Sequence, residues 1–185
     1  MSAITTFVGV DASRNTIEAL IRPTGELWTV ETGEQGMSEI ADKLSDIRPE
    51  LVVMQANGGF ELPMAGILAT LGLPFALVQP RIVRDFARAI GKLTRTGQAG
   101  LLAHFAELVR PEAWSLSSEL VEQLRHLRAR RQEVLQMVSL EHHRAETAPP
   151  IVQKDLQRHI HCLDQSLHSL DEQFSRTIRL SRLWR

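Results

Sequence analysis

The chain has 185 residues, 43% of them hydrophobic, enough for one domain of ordinary size plus an appendage. A single cysteine, Cys162, excludes an internal disulfide, no apolar run approaches the ~20 residues of a membrane span, and no basic stretch precedes a long apolar one, so a cytoplasmic protein without a signal peptide is expected. The net charge of −1 hides a split, with four Lys/Arg against ten Asp/Glu in residues 1–80 and seventeen against twelve in residues 81–185, which makes the second part the better surface for a polyanion.

Alternating apolar and polar residues predict three strands at the start, Ile4 to Val10, Thr16 to Ile21 and Leu27 to Val30. Turn-formers around Ser13-Arg14-Asn15 and Pro23-Thr24-Gly25 join them into an antiparallel meander. Met37, Ile40, Ala41 and Leu44 stand at helical spacing and predict a helix from about Met37 to Ile47, followed by a buried strand Leu51-Val52-Val53-Met54. After the turn Asn57-Gly58-Gly59 come a helix from Glu61 to Leu71, a strand from Pro74 to Val78 and a helix opening at Pro80. Gly97 and Gly100 read as a flexible lead-in to a further helix at Leu101. Three strands, helix, strand, helix, strand, helix is the order of a ribonuclease-H-like α/β domain, expected over residues 1–110.

Strand patterns vanish near Pro111. Leu120, Leu124, Leu127, Val134 and Val138 fall at three- and four-residue steps, with Arg131 interrupting one position, and Leu156, Ile160, Leu163, Leu167, Leu170 and Phe174 repeat the rhythm. These are heptad seams. Ala148-Pro149-Pro150 between them cannot continue a helix, so residues 111–185 are predicted to form an antiparallel helical hairpin, a coiled coil. Two readings stand: a self-contained prop for the α/β domain, or, because one hairpin buries only one side of each helix, a homo-oligomer formed with a second copy.

The helix from Pro80 carries the clearest binding signal. Arg81, Arg84, Arg88, Lys92 and Arg95 step by 3, 4, 4 and 3, which sets five cations along one side, opposite Ile82, Val83, Phe86, Ala89, Ile90 and Leu93. Only Asp85 offsets them. A solvated face mixes signs, whereas a stripe of one sign suits phosphates and positions a duplex or a folded RNA without reading its sequence. Weaker basic groups are Arg125, Arg128, Arg130 and Arg131, and Arg176, Arg179, Arg182 and Arg185 at the C-terminus. The histidines supply no zinc framework: His142-His143 and His159/His161 are spaced so that neither pair faces one ion on a helix.

Three blocks resemble a known family in order and spacing. Val8-Gly9-Val10-Asp11-Ala12-Ser13-Arg14, Val53-Met54-Gln55-Ala56-Asn57-Gly58-Gly59-Phe60-Glu61 and Gln79-Pro80-Arg81-Ile82-Val83-Arg84-Asp85-Phe86-Ala87-Arg88-Ala89 closely resemble the DEDD transposases of the IS110 group, which includes the Piv-type DNA invertases. The resemblance runs to about residue 180. It implies a RuvC-like domain followed by a coiled coil, Mg²⁺ as cofactor, and DNA, with a structured guide RNA in some members, as partners. It also implies a C-terminal domain bearing a nucleophilic serine, which is expected to be missing here.

The same resemblance implies four acidic ligands. Asp11, closing the strand Phe7 to Val10, matches the first Asp. Gln55 stands in place of the Glu in a block that usually reads Met-Glu-Ala-Thr-Gly-Gly-Tyr-Glu, and the last two Asp fall at Gly97 and Gly100. Two-metal phosphoryl chemistry needs several carboxylates to hold cations ~3.5–4 Å apart. Gln55 offers a neutral carbonyl oxygen and the glycines no side chain, so Asp11 is left as a weak metal ligand and no tightly bound Mg²⁺ is expected. The resulting expectation is a relative of transposases and site-specific recombinases, truncated and catalytically inactive, that retains nucleic-acid binding and self-association. The alternatives are a coiled-coil regulator that dimerises with intact transposase and inhibits it, and an active recombinase subunit completed by a separate serine domain.

Overall fold

Alternation at the start of the chain becomes a ladder of β1 (Phe7–Ala12), β2 (Thr16–Arg22) and β3 (Leu27–Glu31), with β1 antiparallel to β2 and β2 antiparallel to β3. The first turn is closed by Ser13, whose hydroxyl and backbone N–H both donate to the Thr16 carbonyl, each at 2.9 Å. The computed structural model describes residues 5–91 and 97–180. Helix α1 (Glu34–Ile47) begins earlier than its apolar spacing predicts, because extended Gly33 serves as its N-cap and Gly36 lets it start against β3. A Cβ at Gly36 would lie 2.1 Å from the Glu31 carbonyl oxygen.

Strands β4 (Leu51–Gln55) and β5 (Phe75–Val78), separated by α2 (Leu62–Thr70), continue the sheet in parallel on the other side of β1. The order is β3-β2-β1-β4-β5, a ribonuclease-H-like, RuvC-like sheet. Strands β1 and β4 are buried on both faces, and therefore read as unbroken apolar runs. One face carries Phe7, Leu51, Val53, Ala76 and Val78 against Leu101, Leu102, Phe105 and Ala106 of α4 (Gly97–Val109). By the two-residue period of a strand, Val8, Val10, Val52 and Met54, all fully buried, fill the opposite face.

Two sequence-based expectations are corrected here. The helix expected at Leu101 starts at Gly97, and Gly100 lies buried within it, so the two glycines belong to α4 itself. The reason is close packing: an added Cβ at Gly9 of β1 would stand 2.2 Å from both the Ala103 backbone nitrogen and the Ala99 carbonyl oxygen. Only small residues at this contact let α4 lie on the strand. The five-cation helix is also shorter than its spacing suggests. Helix α3 (Pro80–Ala89) ends at the cap residue Ile90, and Gly91 takes φ 65, which leaves Arg81, Arg84 and Arg88 on the helix. Lys92 and Arg95 lie outside the described residues, as do Arg182 and Arg185.

The chain divides into two compact units, Met1–Leu116 and Ser117–Arg185. The stretch from Pro111 follows the edge of β5, where the Trp114 N–H donates to the Phe75 carbonyl at 2.7 Å and the two rings lie 5.8 Å apart. In the second unit, α5 (Ser118–Thr147) is capped by the Ser117 hydroxyl, which accepts from the Leu120 N–H, and α6 (Pro150–Leu180) opens on the proline pair. The helices run antiparallel, as their cross-links show: Arg131 Nε to Asp171 Oδ1 at 2.5 Å and His159 Nδ1 to Glu141 Oε1 at 3.6 Å. Leu124, Val134, Ile160, Leu163, Phe174 and Ile178 are buried between them.

Candidate functional site

Register places three polar residues side by side across the middle of the sheet. Asp11 of β1 pairs with Glu18 of β2, and continuing the β1–β4 register one step beyond Val10↔Met54 sets Asp11 beside Gln55. Residues in register on neighbouring strands share a face. That face is the one covered by α4, since Gly9, two residues before Asp11, meets the helix backbone. The row Glu18, Asp11, Gln55 therefore lies under the first turn of α4.

Helix α4 closes the row from above. Gln98 Nε2 donates to Gln55 Oε1 at 2.7 Å, an amide clasp between helix and strand. Gly97 stands over the other end, where an added Cβ would lie 3.8 Å from Glu18 Oε2. Among the described residues, neither Asp11 nor Glu18 makes a side-chain ion pair or hydrogen bond. Burial first, and the neighbouring Glu18 charge second, push the Asp11 carboxyl above its ordinary value.

The loop after β4 is held by Glu61, at the N-cap of α2. Its side chain is fully buried, and Oε2 accepts from the N–H groups of Asn57 at 2.9 Å and Gly59 at 3.1 Å. Asn57 Nδ2 in turn donates to the Ala12 carbonyl at 3.3 Å, which ties this loop to the end of β1 beside Asp11. Gly58 and Gly59 take φ 69 and 102, conformations this tight return requires. Glu61 thus positions the loop through Oε2, while its other oxygen, Oε1, is buried without a hydrogen-bond partner among the described residues.

The basic helix starts at the same end of the sheet, directly after β5. Val83 is buried and Phe86 meets Phe105 of α4 edge-on at 5.1 Å, so α3 is docked by its apolar side. Arg81, Arg84 and Arg88 project outward. Asp85 draws on two of them, at 3.9 Å from Arg81 and 3.2 Å from Arg88, while Arg84 makes no ion pair among the described residues. Three guanidinium groups against one carboxylate leave this face net positive.

The candidate acidic positions are brought together only in part. Asp11 and Gln55 are neighbours, Gly97 lies over Glu18, and Gly100 is buried in helix packing. Two residues of the site, Glu18 and Gln98, are not singled out by sequence patterns. The alternation of β2 with β1 carries a signal for Glu18; for Gln98 there is none without knowing where α4 begins. The donor set is two carboxylates and one amide carbonyl already engaged by Gln98. It does not fit a pair of divalent ions, each of which needs carboxylate oxygens of its own. No group of three or more His, Cys, Asp or Glu is gathered among the described residues.

Comparison with known proteins adds three findings. The sequence model of the DEDD transposases of the IS110 group, described as transposase, matches residues 8–148. Among solved structures, RuvC of T. thermophilus in complex with a Holliday junction substrate is similar at 13% identity with a TM-score of 0.36, covering 65% of this chain and 88% of that one. No curated protein matches.

Proposed function

Since the chain belongs to the DEDD transposase family of the IS110 group, we propose that it acts in DNA transposition or recombination as a nucleic-acid-binding member without phosphoryl-transfer activity of its own. The observation that carries the binding half is the outward row Arg81, Arg84 and Arg88 on α3, beside the end of the sheet that holds Asp11. Guanidinium groups pair bidentately with phosphate oxygens and draw a polyanion without regard to sequence. The ligand is DNA or a structured guide RNA, which share that phosphate backbone. The lack of activity is supported by the donor set, since Gln55 is clasped by Gln98 and residues 97 and 100 bring no carboxylate.

Replacing Arg81, Arg84 and Arg88 together by Glu is expected to abolish binding of DNA duplex and of RNA; a single Arg84→Glu lowers the slope of log affinity against log salt by about 0.9 for each phosphate that is no longer neutralised. Unchanged affinity in the triple variant removes α3 from the interface. Sequencing the nucleic acid that copurifies separates the two ligands, with one enriched structured RNA marking a guide. Mg²⁺-dependent nicking by the purified chain, lost in Asp11→Ala, refutes the inactive half of the proposal.

Self-association through the helical hairpin belongs to the same proposal. Met137, Leu140, Ile151 and Val152 are exposed near the turn of the second unit, apolar surface that a second copy would cover. Light scattering coupled to size exclusion tests it, and a monomer mass counts against it.

A further inference from the structure

The loop between β4 and α2 holds an aromatic ring in solvent on a backbone fixed from within. Phe60 is 46% exposed, whereas the next two residues, Glu61 and Leu62, are fully buried. A single exposed apolar residue is ordinary on a protein surface. This one sits on a loop fastened at three points: Glu61 Oε2 accepts from the Asn57 and Gly59 N–H groups, Asn57 Nδ2 donates to the Ala12 carbonyl, and the Phe60 N–H donates to the Asn57 carbonyl at 3.4 Å. Burying a carboxylate is unfavourable unless hydrogen bonds offset it, and the turn also needs positive φ at Gly58 and Gly59. What this arrangement fixes is the position of residue 60, whose ring stays half in water.

The ring stands at the carboxyl end of the parallel strands, where α3 also begins. Gln55 and Val78 are in register and the Ala56 N–H donates to the Val78 carbonyl at 2.9 Å, so the loop to Phe60 and the start of α3 leave neighbouring strands, ~5 Å apart, at the same end. Ligands of open α/β sheets bind beyond that end of the strands. On the first turn of α3, Ile82 is exposed beside Arg81, which adds a second apolar group to the cationic face. Cations alone attract any polyanion, whereas a fixed aromatic ring beside them offers a platform to the flat face of a base. In a continuous duplex each base is covered on both faces by its neighbours, so the platform serves only a base that is unpaired or drawn out of the stack. We propose that Phe60 is a base-stacking residue, and that this chain engages its nucleic acid at an unpaired or distorted position in preference to an intact duplex. A protein surface would also cover a phenyl ring, but the net positive face of α3 next to it selects a polyanion. The inference rests on the proposed binding at α3 and narrows it from any phosphate backbone to one that carries an open base.

The test is fluorescence anisotropy with the full chain and three labelled DNAs of one length: a single strand, its intact duplex, and that duplex with a short unpaired stretch at its centre. Phe60→Ala is expected to weaken binding of the single strand and of the interrupted duplex about tenfold and to leave the intact duplex unchanged. Phe60→Trp is expected to keep the wild-type affinities, and the single strand quenches its added indole beyond any change in the tryptophans of the wild type. Phe60→Ala that binds the single strand as well as the wild type does, or that loses as much on the intact duplex, overturns the inference, as does Phe60→Trp without added quenching. The triple variant of Arg81, Arg84 and Arg88 to Glu keeps the two proposals apart: if it loses all three DNAs while Phe60→Ala is silent, the stacking inference fails and binding at α3 stands. A triple variant with unchanged affinity, or a wild type that binds none of the three, overturns both. Phe60→Ala that keeps its affinity but runs at a smaller mass than the wild type in light scattering assigns the ring to a contact between copies, and overturns the inference equally.

Discussion

Gly9→Ala tests the contact on which the whole site depends. The added methyl carbon would stand 2.2 Å from the Ala103 nitrogen, 2.2 Å from the Ala99 oxygen and 2.7 Å from the Leu102 carbonyl carbon. All three are backbone atoms of α4, which no rotamer change can move aside. Non-bonded heavy atoms settle at about 3.5–4.0 Å, so the helix must withdraw by more than about 1 Å. Such a shift loosens Leu102, Phe105 and Ala106 against the sheet and parts Gln98 from Gln55. Overpacking a core costs about 1–3 kcal/mol, and an unyielding backbone clash belongs at the upper end, about 3 kcal/mol. With a urea slope of about 2 kcal/mol/M, the unfolding midpoint should fall by about 1.5 M. Trp28 and Trp114, both in the α/β unit, report the transition by fluorescence. Gly33→Ser is the control, since a Cβ there meets nothing within 4 Å and serine is a favourable N-cap. A Gly9→Ala midpoint within about 0.3 M of the wild type would refute the close approach of α4 to β1.

Three further outcomes are expected. The folded Asp11 carboxyl titrates above its unfolded counterpart, through burial and then Glu18, so the folded state binds the extra proton between the two values and stability falls as pH rises through that window. Asp11→Asn should therefore raise Tm near neutral pH and lose its advantage below the ordinary carboxylate range, about pH 3.5; an equal gain at both pH values contradicts the assignment. Glu61→Ala removes a fully buried side chain and the acceptor of the Asn57 and Gly59 N–H groups and should cost roughly 1–3 kcal/mol in urea unfolding, with Glu61→Gln costing less because one oxygen remains. Arg131→Leu removes a charge from a seam position whose partner, Asp171, is half exposed, and should leave the hairpin as stable or more so by far-ultraviolet circular dichroism melts. A loss above about 2 kcal/mol would show that the Arg131 cross-link holds the helices in register.

Composition and periodicity alone determined most of the architecture. Alternation reads as the meander of β1, β2 and β3, an apolar run as the buried β4, and three- and four-residue steps as the paired helices α5 and α6, because each pattern is a local consequence of which side of an element meets other protein. The blocks around Asp11, Gln55 and Arg81 were legible for the same reason, being contiguous. What only the tertiary structure decided was where separate elements meet. Alternation says that Glu18 faces one side of β2, but the pairing register is what sets it beside Asp11. Glycines 97 and 100 read as flexible from their neighbours, yet Gly97, at φ 68, opens α4 and Gly100 is buried within it, in a helix whose Ala99 and Ala103 lie against Gly9 about ninety residues away in sequence. The end of the basic helix at Ile90 likewise follows from the turn at Gly91, while the spacing of the arginines continues unbroken past it. Sequence periodicity records which face of an element is buried; it carries no record of the partner that buries it, and Gln98 over Gln55 is such a partner.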